Sequence, residues 1–174
     1  MKSLFAAFLL GILSVASVGA ASAAPTVSRE AALQAIEVFR KDPAGSAGLA
    51  AGTTIMSFAQ KSNEVHVSLS KAVAPWYKTR EAPDADTRIM LLTAYVAGNA
   101  RAQLQSGKAE DDVYAGWQQV LATYDQLRQI NPTVKLPEIE DLKAKERGGT
   151  LRSYAATVLA QQKAGSPGAK SANH

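Results

Sequence analysis

The chain is predicted to be all-α: a compact bundle of five to six helices around a long antiparallel hairpin at about 86–131, with no sheet. Three observations predict it. Apolar residues recur at three- and four-residue spacing through most of 28–162. Asp42-Pro43, Gly107, Asn131-Pro132 and Gly148-Gly149 punctuate those stretches at intervals that suit short helix–helix connections. Cysteine is absent, so no disulfide can compensate for a thin core and packing alone must hold the domain.

Ser28 is a good N-cap for a first helix running to about Lys41, with Leu33, Ile36 and Phe39 at helical spacing. Asp42-Pro43 ends it and is expected to start the next, Asp as cap and Pro at the first helical position. That second segment, 44–59, carries no charge and places Ala44, Gly48 and Gly52 four residues apart. Such a ridge lets a neighbouring backbone come close, here a helix of the same domain, since the segment is short and too rich in Ser and Thr to span a bilayer. Val65 to Ser70 alternates apolar and polar residues, the period of a strand, but no partner strand is visible. An extended or irregular segment is expected there, with a break at Pro75-Trp76.

The hairpin is the cleanest pattern. Asp84 or Asp86 caps its first helix, Leu91, Leu92, Tyr95, Val96 and Ala102 form one stripe, and Gly107 stops it. Glu110, Asp111 and Asp112 fall in the expected first turn of the second helix, where carboxylates complement the positive end of the helix dipole. Val113, Trp117, Val120, Tyr124, Leu127 and Ile130 then face one side until Asn131-Pro132. Pro137 opens a shorter helix with Ile139 and Leu142, and Thr150 is expected to cap a last one bearing Leu151, Tyr154 and Val158. The segment 163–174 has no apolar anchor and is expected to be a disordered tail.

The N-terminus reads as a signal peptide. Lys2 precedes an uncharged apolar run at 4–18, and Ala21-Ser22-Ala23 supplies the small residues of a cleavage site. Pro25 disfavours a cut after Ala24, which places cleavage after Ala23. The organisation expected is therefore signal peptide 1–23, one helical domain 24–162 and the tail 163–174, exported to the periplasm or the medium, with no transmembrane span in the mature chain. No cysteine follows the apolar run, which excludes lipoprotein anchoring.

The basic pI of 9.4 does not indicate nucleic acid. From Ala24 to Pro132 there are 11 basic and 11 acidic residues, and the excess lies beyond, scattered toward the tail. Phosphate recognition needs clustered Lys and Arg on one face.

Tyr124 to Pro132 (YDQLRQINP) resembles the end of the second helix of a tetratricopeptide repeat, and Gly98-Asn99-Ala100 resembles part of its first. Gly98 to Pro132 alone already spans the 34 positions that this repeat allots to the whole unit. The resemblance implies an antiparallel helix pair and nothing about a ligand.

Motifs that carry chemistry are sparse. His66 and His174 are the two histidines, too few and too distant for a histidine metal site. Ser68 to Lys71 fits S-x-x-K, but about one such match is expected by chance, and the companion motifs are missing. The carboxylate pairs at Asp84/Asp86 and Glu110 to Asp112 are explained by helix starts. No catalytic residue, metal or cofactor is assigned. The weak candidates for ligand binding are Trp76, Tyr77, Lys78 and Arg80, where two aromatics beside two cations could stack on a sugar or bind an anion. The function expected is a non-enzymatic binding or structural role in the cell envelope or outside the cell, toward another protein or an envelope component, with the oligomeric state open. The alternatives are a membrane-surface or self-associating role of the 44–59 helix, and a small enzyme without a recognisable motif.

Cleavage after Ala23 predicts Ala24 as the mature N-terminus. The intact mass of the exported protein tests this; a membrane fraction that retains residues 1–23 would refute it.

Overall fold

A computed structural model describes residues 27–77 and 85–165. The described residues form six α-helices and no strand: α1 Arg29–Lys41, α2 Ser46–Lys61, α3 Ala85–Ser106, α4 Val113–Ile130, α5 Pro137–Arg147 and α6 Leu151–Gly165, with a short 3-10 turn at Pro75–Tyr77. The all-α bundle is as expected. The signal-peptide stretch lies outside the described residues, as do Asp84 and 166–174. α6 continues to Gly165, into the stretch expected to be tail. No helix among the described residues is long and apolar enough to cross a membrane.

Ser28 caps α1, its side chain accepting from the Ala31 N–H at 3.2 Å. α2 starts later than expected. Asp42 closes α1, and its carboxylate accepts from the Gly45 N–H at 3.0 Å, so it holds a turn and does not cap the next helix. Pro43 and Ala44 lie in that turn, and Gly45 is the cap of α2. The Ala44/Gly48/Gly52 ridge is thereby divided. A Cβ on Gly48 would stand 1.9 Å from the Asp42 carbonyl oxygen, so Gly48 admits the backbone of its own α1–α2 turn. Only Gly52 faces another part of the bundle across a helix boundary, where a Cβ would meet Thr93 Cγ2 at 3.2 Å.

α3 is the centre. Every residue from 91 to 100 is buried, where the sequence indicates a single stripe. α4 covers it as an antiparallel partner, α1 and α2 form a second antiparallel hairpin against it, and α5 and α6 pack on α4. The two long helices touch at glycines. A Cβ on Gly98 would lie 2.4 Å from the Ala115 carbonyl oxygen and 2.6 Å from Gln119 Cβ, and one on Gly116 would lie 2.6 Å from the Tyr95 ring. Gly107 ends α3 at φ 70°, a left-handed conformation that suits glycine.

Trp117, fully buried, anchors α4. Its Nε1 donates to the Val73 carbonyl at 2.7 Å, and its ring stacks on Tyr154 of α6 at 5.3 Å between centroids. Tyr124 does the same for α5: its hydroxyl accepts from the Leu136 N–H at 3.1 Å and donates to Glu140 at 3.0 Å. Thr150 does not cap α6 with its side chain; the hydroxyl donates instead to the last turn of α5, at the Lys145 carbonyl.

Glycine-to-alanine variants test this packing. Alanine favours a helix by about 1 kcal/mol, yet Gly48→Ala and Gly98→Ala should each destabilise by about 1–3 kcal/mol through overpacking against backbone. Gly52→Ala, which meets only a methyl group, should stay within about 1 kcal/mol of the parent. Denaturant midpoints measure all three, and an equal response at the three sites would refute the assignment.

Candidate binding site

The aromatic–cation loop is taken apart by the fold. Trp76 has no exposed surface, so it closes the core and presents no ring face to a ligand. Its carbonyl accepts a hydrogen bond from Arg88. Tyr77, the next residue, is 50% exposed and borders a shallow depression of about 270 Å³ with Leu69, Lys71 and Leu92. A 3-10 turn rotates successive side chains by about a third of a turn, and with one ring buried and the other at the surface the two do not form one platform. Lys78 and Arg80 lie outside the described residues.

Most buried polar groups are occupied in holding the chain together. Tyr95, Asn99 and Gln103 stand four residues apart on one line of α3, and all are buried. The Gln103 carboxamide pairs with the backbone of His66 in both directions: its Oε1 accepts from the His66 N–H and its Nε2 donates to the His66 carbonyl, each at 2.8 Å. Gln103 Nε2 also donates to Asn99 Oδ1 at 2.6 Å. That oxygen accepts in addition from the Asp112 N–H at 3.0 Å, while Asn99 Nδ2 donates to Asp111 and to the Tyr95 hydroxyl. Asp111 in turn accepts from the Ser68 N–H at 3.0 Å. The extended segment 65–70 thus finds its partner in side chains of α3 and in the start of α4, where a neighbouring strand would otherwise serve.

The acidic run is rearranged accordingly. Glu110 to Asp112 precede α4 and do not form its first turn. Asp112 is the N-cap, accepting from the Ala115 N–H at 2.9 Å, and Asp111 is drawn away by Asn99 and Ser68. Burial, reinforced by the charge of Asp111, pushes the Tyr95 hydroxyl far above the ordinary tyrosine range, with the Asn99 hydrogen bond opposing. Burial also raises Tyr124, against the Leu136 N–H that it accepts. Both hydroxyls stay protonated as structural pins. Ser68 Oγ lies 3.4 Å from His66 Nε2 at the surface, without the third group that orients a histidine base. Among the described residues no cluster of three or more His, Asp or Glu is placed to hold a metal ion.

A larger concavity lies elsewhere, between α2 and α3. It encloses about 770 Å³ and is lined by Phe39, Leu49, Met56, Ile89 and Met90 over a floor at Gly52, with Thr53, Ser57, Gln60, Thr93 and Asp86 around them. Its volume is typical of small-molecule sites. Leu49 and Ile89 rise on its walls, 54% and 52% exposed. Sequence reading missed this groove. The available signal was that α2 and α3 each carry apolar residues beyond their core-facing set: Leu49 and Met56 on one, Ile89 and Met90 on the other.

Comparison with protein-family models, curated proteins and solved structures finds no match for this chain.

The Gln103 carboxamide is the most exacting element of the network. Gln103→Leu removes the acceptor of the His66 N–H together with the donors to the His66 carbonyl and Asn99 Oδ1. It should cost about 2–4 kcal/mol and release the His66 amide to hydrogen exchange. Denaturant melts and exchange rates by NMR measure both, and undiminished His66 protection would refute the pairing.

Proposed function

We propose that this protein is an exported, non-enzymatic binding protein of the cell envelope or extracellular space, and that its binding surface is the α2–α3 groove. The groove itself carries the reading. Single exposed apolar side chains are ordinary on protein surfaces. Leu49 and Ile89 are different, because they flank a concave apolar surface built by two separate helices. The leader-like 1–23 supports export. The absence of enzymatic machinery is supported by what the polar network does: Asn99, Gln103, Asp111, Asp112 and Tyr124 are engaged in joining chain segments.

A second reading, self-association or membrane-surface contact through α2, has one observation in its favour. Ser46, Ala47, Leu49, Ala50 and Thr53 are exposed on its outer side and carry no charge. The glycines do not contribute, since Gly48 and Gly52 are buried within the domain.

Nile red, a neutral apolar dye, tests the first reading. The parent should enhance its fluorescence saturably, and the double variant Leu49→Gln/Ile89→Gln should bind it about tenfold more weakly. Equal binding by both proteins would refute the groove. Sedimentation over a range of concentrations tests the self-association of the second reading, which requires a growing oligomer that the double variant lacks, and co-flotation with lipid vesicles tests its membrane-surface contact.

A further inference from the structure

The α2–α3 groove has an uneven polar character. Thr53 and Thr93 line it, and the Thr93 hydroxyl proton is turned to its own helix, Oγ1 donating to the Ile89 carbonyl at 3.1 Å. A hydroxyl whose proton is committed offers an incoming molecule only lone pairs. Asp86 is the single charged side chain lining the groove, and it has no ion-pair partner among the described residues. A carboxylate is likewise an acceptor. Gln60, Ser57 and Thr53 can donate as well, so what distinguishes the groove is charge: among the described residues that line it, the only formal charge is the negative one of Asp86.

We propose that the groove takes a cationic amphiphile: an apolar chain or compact ring system with one amine or ammonium group, its body against Leu49, Met56, Ile89 and Met90 and its head at Asp86. This inference rests on the binding reading above and adds the class of ligand. The two methionines supply an adaptable wall, because an unbranched thioether adjusts to irregular apolar shapes. An amine brings a positive charge to a surface whose described lining has none. A fatty carboxylate or a phosphate head would bring further acceptors and a second negative charge beside Asp86. The preference has a bounded size. Asp86 is exposed, and an ion pair in that setting changes affinity by about two- to fivefold, with the effect shrinking as salt rises.

Three ligands that share an eight-carbon chain make the test: octylammonium, 1-octanol and octanoate, titrated calorimetrically below micelle formation at low and high salt. Octylammonium should bind most tightly and octanoate least. Asp86→Asn should weaken octylammonium about two- to fivefold at low salt and leave octanol unchanged. Ile89→Gln should weaken all three. Both positions are exposed, and circular dichroism checks that each variant is folded. Equal affinity for octylammonium and octanol, unaffected by Asp86→Asn, would overturn the cation preference and leave the groove reading standing. Tighter binding of octanoate would overturn it too. No binding of any of the three, or binding indifferent to Ile89→Gln, would overturn both.

Discussion

The complete enclosure of α3 between residues 91 and 100 is the constraint on which the rest of the structure depends. A helix that meets protein on every side has no polar face to spare. Its neighbours reach it only where side chains are small, which is why Gly98 on α3 and Gly116 on α4 sit at the crossing of the two longest helices. Small residues Ala94, Ala97 and Ala100 belong to the same solution. Polar residues in such a helix must be satisfied by protein, because water is absent and an unpaired group would cost about 1–3 kcal/mol. Asn99 and Gln103 meet that demand by engaging the backbone of 65–68 and the start of α4. The same bonds give the extended segment its place. One burial constraint therefore positions three chain segments.

Where that enclosure ends, the candidate site begins. Asp86 and Ile89 are exposed and Met90 partly so, and the two apolar side chains there find no cover from α2. α2 crosses α3 at Gly52 and Thr93 and leaves the preceding turns uncovered. The groove is thus the part of the apolar surface of α3 that the bundle does not cover. α2 contributes a wall without charge, since its buried positions are Gly48, Ala51, Gly52, Ile55 and Phe58 and its outer ones Ser, Ala, Leu and Thr.

The C-terminal half is held differently. α5 buries only Ile139 and Leu142, too little apolar surface to dock a helix of 11 residues by itself. Polar pins from α4 compensate: Tyr124 holds the Leu136 N–H and Glu140, Arg128 pairs with Glu140 at 3.1 Å, and Asp125 pairs with Lys143. α6 leans on the Trp117–Tyr154 stack and on Leu151, Ala155 and Val158. Tyr154 also receives the Lys145 ammonium at 4.9 Å, which ties the last two helices to each other.

The sequence by itself determined the helical class, the order of the helices and most of their ends. Ser28, Gly107, Asn131 and Pro137 act within one turn of where they stand, so local chemistry is enough to read them. The stripe of α4 was legible from Val113 to Leu127, all buried, but Ile130, expected on the same face, is 69% exposed, because period alone does not tell where the core ends. Tertiary structure decided the rest. That Asp42 holds a turn and Gly48 admits that turn depends on a close approach which spacing does not encode. Trp76 is buried while Tyr77 is half exposed, because a 3-10 turn rotates successive side chains by about a third of a turn and only one of the two meets the core. Gln103 and His66, 37 positions apart, pair because the fold lays the extended segment against α3, which spacing does not state. The groove is the most tertiary feature of all: its walls come from two helices whose separation no residue pattern states, and it exists because one helix is longer than its cover.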